Sequence, residues 1–203
     1  MAQRSLRDAL LGAAATEFHE NGYAATGVAA IATRAGAPKG SFYNHFPSKD
    51  ALGVLIVEQY AGSRGTDILL DPASEPLDAL RRHFDYLRSD LARDDFARGC
   101  LLGNFAAEVA RSGTRVDTAV RDSFTAWLDA LAVPVGRLAE HGALPAGGRP
   151  DEVARALGSA WEGAALLAKA TGSAGPIDDF FAVTFPRILG LGRPDLPSHR
   201  LGG

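Results

Sequence analysis

The stretch that decides the fold is APKGSFYNHFPSK, residues 37–49. It carries the rings of Phe42, Tyr43 and Phe46, two lysines and a histidine, and no Leu, Ile or Val. A segment so poor in aliphatics is not a core helix. Pro38 suits the first turn of a short helix, where its missing N–H costs nothing. Pro47-Ser48 ends that helix near His45 and starts the next, with Ser48 as cap and Asp50 favouring its N-terminal dipole. Phe42 and Phe46, four residues apart, share one side and anchor it. Pro38, Lys39, Gly40 and Ser41 leave the opposite side small and polar, as a helix needs when it enters a groove about 12 Å wide.

Working outward, the flanking sequence keeps helical period. Leu6, Leu10, Ala14 and Phe18 follow i+4 steps from about Ser5 to Glu20, and Asn21-Gly22 supplies the stop. Thr26 stands at an N-cap position before Val28, Ile31 and Ala35, a second helix that ends at Gly36. Three short helices with a tight glycine turn between the last two describe a helix-turn-helix unit. Beyond Leu52 longer helices are expected near 49–64, 76–97, 100–111, 114–141, 150–172 and 177–190. Breaks such as LDPASEP and ALPAGGRP separate them, and the tail GRPDLPSHRLGG reads as frayed. Val116, Val120, Phe124, Trp127, Leu131, Val135 and Leu138 make the 114–141 segment a core helix, with Pro134 a kink. The fold class expected is all-α: a helix-turn-helix head at 1–48, a helical body at 49–192 and a tail at 193–203.

The totals limit the function classes. The chain has 203 residues, 46% hydrophobic and 22% charged, which is ordinary globular composition able to bury a core. No apolar run reaches the ~18 residues of a membrane span. Asp8, Glu17 and Glu20 interrupt the N-terminal apolar stretch, so it reads as mature protein and not as a leader. Cys100 is the single cysteine, which fits a reducing cytoplasm. Overall charge is −3, but residues 1–52 carry five cations against four acids, and the remainder sixteen against twenty. That split has the sign of a DNA-facing head on an acidic body.

The run TGVAAIATRAGAPKGSFYNHFPSKDAL, residues 26–52, with Asn21-Gly22-Tyr23 before it, resembles the DNA-binding head of the TetR-type transcriptional regulators. The spacing of Gly36, Lys39, Gly40, Tyr43, Phe46, Lys49 and Leu52 carries the resemblance. It implies phosphate contacts from Thr26, Tyr43 and Lys49, and groove contacts from Lys39, Gly40, Ser41, Asn44 and His45. Gly27 and Ala30 depart from the family's usual hydroxyl and acid. The resemblance further implies a homodimer that reads a palindromic double-stranded operator, with half-sites roughly 34–36 Å apart. A small-molecule inducer would occupy the body and shift the population of head spacings, relieving repression.

Two segments of the body stand out. In RGCLLGNFAAEVA, residues 98–110, Cys100, Asn104 and Glu108 form one polar stripe beside Leu101 and Phe105. In SAWEGAALLAKATGS, residues 159–173, Glu162 and Lys169 lie on one face about 10.5 Å apart, able to bracket a small polar ligand. Both segments resemble a TetR branch containing N-ethylmaleimide-responsive and acrylate-responsive repressors, which implies a small, often electrophilic inducer. Cys100 follows Arg98-Gly99 at a helix start, where dipole and cation lower a thiol pKa and make it a sensor; the competing role is that of a packing residue. The candidate ligand set is Cys100, Asn104, Phe105, Trp127, Trp161, Glu162 and Lys169. The rings of Phe84, Phe105, Phe124, Trp127 and Trp161 fit either core or cavity. Gly158, Ala160, Gly163, Ala164 and Ala165 permit close helix approach and are expected to build an intersubunit four-helix bundle, packing within the chain being the competing role.

Two rival readings remain at this stage: a helical interaction protein without DNA binding, and a thiol-dependent enzyme. A His83–Cys100 pair lacks a third orienting group, and the five histidines have no metal-ligand spacing. No catalysis, metal or cofactor is expected.

Overall fold

The computed structural model describes residues 5–144 and 148–191. The tail expected at 193–203 lies outside the described residues, as does part of the ALPAGGRP break. Every regular element among the described residues is helical.

Helix α1 spans Leu6–Asn21. Ser5 caps it by accepting from Asp8 N at 3.2 Å, while its hydroxyl donates to the Asp8 carboxylate at 2.7 Å. Leu10, Ala14 and Phe18 are fully buried, but Leu6, in the first turn, is 38% exposed. Gly22 closes the helix at φ +83°, a conformation open to glycine. Helix α2 spans Val28–Arg34 and is capped by Gly27, one residue later than expected.

The segment expected as a third α-helix is a 3-10 helix over Lys39–Asn44. Ser41 N bonds to Pro38 O and His45 N to Phe42 O, the i+3 pattern. Gly40 weakens an α-helix, and Pro47 disfavours the α conformation at Phe46. The few residues left suit the tighter form. Phe42 and Phe46 are buried as expected, each contributing roughly 1.5–3 kcal/mol of apolar burial.

Helix α3 spans Lys49–Gly62, with Ser48 accepting from Ala51 N at 3.0 Å. A short α4, Asp67–Leu70, was not expected. Helix α5 runs Pro76–Ala92 and not to residue 97, since Asp95 and Phe96 turn left-handed at φ +52° and +66°. Helix α6 is Leu101–Val109, and α7 is Arg115–Glu140, with Pro134 buried inside it. Helix α8 runs Pro150–Thr171 and ends at Gly172, φ +60°.

The single helix expected over 177–190 is three short pieces: α9 at Gly175–Asp179, a π-turn at Phe180–Thr184 and α10 at Phe185–Ile188. Pro186 has no N–H to offer the preceding turn and crowds its carbonyls, and the widened turn accommodates it.

Two apolar clusters result. One joins α5, α7, α8 and the C-terminal pieces around Phe84, Leu131, Trp161 and Phe180. The other begins in the head at Leu10, Phe18, Ile31 and Phe42 and continues through Leu52 and Ile56 into Leu101, Phe105, Val116 and Val120. Phe124 packs against both.

Candidate DNA-reading head and body cavity

The 3-10 helix presents Pro38, Lys39, Gly40, Tyr43, Asn44 and His45 to solvent. Tyr43 is 58% exposed. Ser41 is half-buried and its hydroxyl donates to Pro38 O at 2.6 Å, stapling the start of the helix. Phe42 and Phe46, ring centroids 5.6 Å apart, hold this surface from behind. The face is therefore rigidly backed, small at its start and polar along its flank.

Two residues expected at the phosphates make bonds within the head. Thr26 is buried, and its hydroxyl lies 2.7 Å from Gly22 O and 3.2 Å from Glu17 O, so it ties the α1–α2 loop to α1 instead of capping α2. Lys49 Nζ donates to Tyr23 O at 2.9 Å and Thr26 O at 3.1 Å, and sits 4.4 Å from the centre of the Tyr23 ring. Burial holds its pKa below the ordinary lysine value. Both side chains brace the head through carbonyls of the loop between α1 and α2 and of the end of α1. Arg34 adds a second brace, pairing with Glu17 at 2.6 Å and Glu20 at 2.8 Å.

The body holds a partly open cavity of about 490 Å³ between α3, α4, α5, α6, α7 and α8. Its wall is mostly apolar, with Leu87, Leu102, Phe124 and Trp127 prominent. Arg64, Cys100 and Glu162 supply polar groups to it. Arg64 is 6% exposed and pairs with Asp90 at 2.7 Å. Such a chamber suits a small, largely apolar molecule with one polar end.

Three of the seven residues expected around a ligand line this cavity: Cys100, Trp127 and Glu162. The other four do not. Phe105 faces the head, against Phe18 at 5.6 Å and Tyr23 at 5.1 Å. Trp161 is fully buried among Phe84, Phe180 and Phe181. Lys169 donates to Asn104 Oδ1 at 2.9 Å, and Asn104 donates in turn to Arg98 O at 2.9 Å. The expected Glu162–Lys169 bracket is thus split: the acid reaches the cavity, and the lysine secures the start of α6. Helical spacing gives the face of one helix but not its partner, so it could not tell which of the seven line this cavity. Arg64 carried no sequence signal, lying in a Gly/Ser-rich break.

Cys100 occupies the N-cap of α6, yet its pKa is raised, to about 12, and not lowered. Burial dominates; the Glu162 carboxyl adds to it, and Arg64 opposes. Burial likewise raises Glu162. His83 is fully buried and does not pair with the thiol. Its Nδ1 donates to Gly65 O at 3.1 Å and its Nε2 accepts from Trp127 Nε1 at 2.9 Å.

The helix-turn-helix surface and its sequence match the family description "Bacterial regulatory proteins, tetR family" over residues 10–53. The body matches "Transcriptional regulator LmrA/YxaF-like, C-terminal domain" over residues 76–182. This chain belongs to the TetR family. It is 32% identical to the HTH-type transcriptional repressor DhaR of Mycobacterium sp. (strain GP1), covering 93% of this chain and 95% of that one. The HTH-type transcriptional repressor NemR of Escherichia coli (strain K12) is 25% identical over 89% of this chain and 92% of its own. The crystal structure of regulatory protein TetR from Rhodobacter sphaeroides superposes with a TM-score of 0.76 at 31% identity, covering 90% and 96%. TetR-family proteins are transcriptional regulators and not enzymes, so the thiol-enzyme alternative falls. No helix among the described residues is long and apolar enough to cross a membrane.

Proposed function

We propose that the protein is a ligand-released repressor that binds a palindromic operator as a homodimer in the cytoplasm, with residues 1–48 as reading head and 49–192 as ligand-binding and dimerisation body. The observation that carries this reading is the small, polar face of the Lys39–Asn44 helix, held outward by buried Phe42 and Phe46. Groove contacts come from Lys39, Gly40, Ser41, Asn44 and His45, and Tyr43 meets the sugar-phosphate chain. Thr26 and Lys49 act indirectly, by fixing the loop beside that face. The relatives DhaR and NemR, both described as repressors, support the direction of control.

The inducer is a small, mainly apolar molecule that enters the 490 Å³ cavity and places a polar group near Arg64 and Glu162. Binding is noncovalent in this reading, because a thiol at Cys100 raised to about 12 is protonated at neutral pH. Leu166, Leu167 and Val183 are 64%, 55% and 43% exposed on α8 and the C-terminal pieces, an apolar face suited to a second copy.

Selection of genomic duplexes on the purified protein, followed by footprinting and salt titration, tests the reading. A symmetric footprint whose affinity falls steeply with salt supports it. Failure to retain any duplex over background would sink it.

A further inference from the structure

Helix α6 joins the cavity to the head along its whole length, about 13 Å. At its cavity end Cys100 and Leu102 line the wall, and a Cβ on Gly103 would stand 2.8 Å from Glu162 Oε2. Three contacts then splint α6 to residues 18–24 of the head. His19 Nε2 donates to Gly99 O at 2.9 Å, just before the helix. Midway, the Phe105 ring lies against Phe18 and Tyr23. At the far end the Glu108 carboxylate accepts from Tyr23 N at 3.1 Å and Ala24 N at 2.5 Å.

The last contact is unlike the others. Glu108 is exposed and adds nothing to the core, yet it takes two backbone donors of the loop that leads into α2. Gly22 makes room for it: a Cβ there would stand 2.6 Å from Glu108 Oε1. Lys49 holds the carbonyls of the same loop, at Tyr23 and Thr26. The loop is thus fixed by an anion from the body on its N–H groups and a cation from α3 on its carbonyls. Charge-assisted bonds of this kind are strong and directional.

We propose that Glu108 is the positioning residue that makes the head follow the cavity wall: a displacement of α6 at Cys100–Gly103 reaches α2 and the reading helix through its two bonds to Tyr23 and Ala24. This rests on the regulator reading above. Coupling between two sites is reciprocal, so it can be read from the DNA side without knowing the inducer.

The test is hydrogen exchange by mass spectrometry on the full chain, with and without a duplex recovered by the wild-type protein, for wild type, Glu108→Gln and Glu108→Ala. In wild type, DNA is expected to slow exchange both at residues 22–26 and at 101–104, the latter on the order of fivefold. In Glu108→Ala the response at 101–104 disappears although DNA is still bound, and Glu108→Gln, which keeps one acceptor oxygen, falls between. A response at 101–104 that is equal in all three proteins, or missing from wild type with DNA bound, overturns the proposal. A merely structural role would change exchange without DNA and leave the DNA-dependent difference intact, which also overturns it. Absence of any recovered duplex would instead overturn the regulator reading beneath it, so the two failures are distinguishable.

Discussion

Trp127 donates its indole N–H to Nε2 of His83 at 2.9 Å, inside the body and at the edge of the cavity. Because Nε2 accepts from Trp127 while Nδ1 donates to Gly65 O, the imidazole is neutral and in one tautomer. Burial pushes its pKa down to about 4 from 6.5. Trp127 therefore owes its orientation at the cavity wall to an uncharged histidine.

Stability should depend on pH through this pair. Between about pH 6.5 and 4 the unfolded chain takes up a proton at His83 while the folded chain does not. The contribution of the neutral imidazole is complete above pH 6.5, declines by about 1.4 kcal/mol per unit as pH falls, and is spent near pH 4. Urea titrations of wild type and His83→Asn across this window measure it; equal slopes in the two proteins would contradict the assignment.

Cys100 should react slowly. A rise from 9.0 to about 12 leaves on the order of a thousandfold less thiolate at neutral pH. Titration with a chromogenic disulfide should show this lag in the folded protein and normal reactivity once the chain is unfolded. Fast labelling of the native protein would return Cys100 to the role of electrophile sensor.

Lys49→Ala should lower both the melting temperature and the affinity for every duplex. It removes the bonds to Tyr23 O and Thr26 O and the contact with the Tyr23 ring, together worth about 1–3 kcal/mol. Asn44→Ala, on the exposed face, should leave melting unchanged and alter which operator is preferred. Calorimetry and repeated duplex selection distinguish the two; a Lys49 variant with wild-type melting would refute the brace.

Leu166→Glu combined with Leu167→Glu should give a folded monomer. Both side chains are exposed on α8 and touch neither described core cluster. Analytical ultracentrifugation reads the outcome, and a dimer that persists in the double variant would place the interface elsewhere.

Much of this was legible in the chain. Ser48 caps α3 as its place after Pro47 predicted, its hydroxyl accepting from Ala51 N. Val116, Val120, Leu131, Val135 and Leu138 are buried where periodicity put them. The errors share one origin, the tertiary partner. Thr26 has the look of a cap, but its hydroxyl bonds to the carbonyls of Glu17 and Gly22, and α2 starts after Gly27 with no side-chain cap. Phe105 and Trp161 sit at core spacing, and only the packed structure tells which core. Gly158, Ala164 and Ala165 turned inward; a Cβ on Gly158 would stand 2.6 Å from Leu128. The polar character of Cys100 depends on how much water reaches it, which no linear pattern encodes.

The apolar cluster that begins at Leu10 does not stop at the end of the reading unit but runs on to Val120. A chimera that borrows only the first fifty residues from a relative would therefore graft half of a packed interior onto a foreign complement. Swapping operator preference between such proteins calls for a cut that carries α6 and the opening turns of α7 along with the transplanted piece.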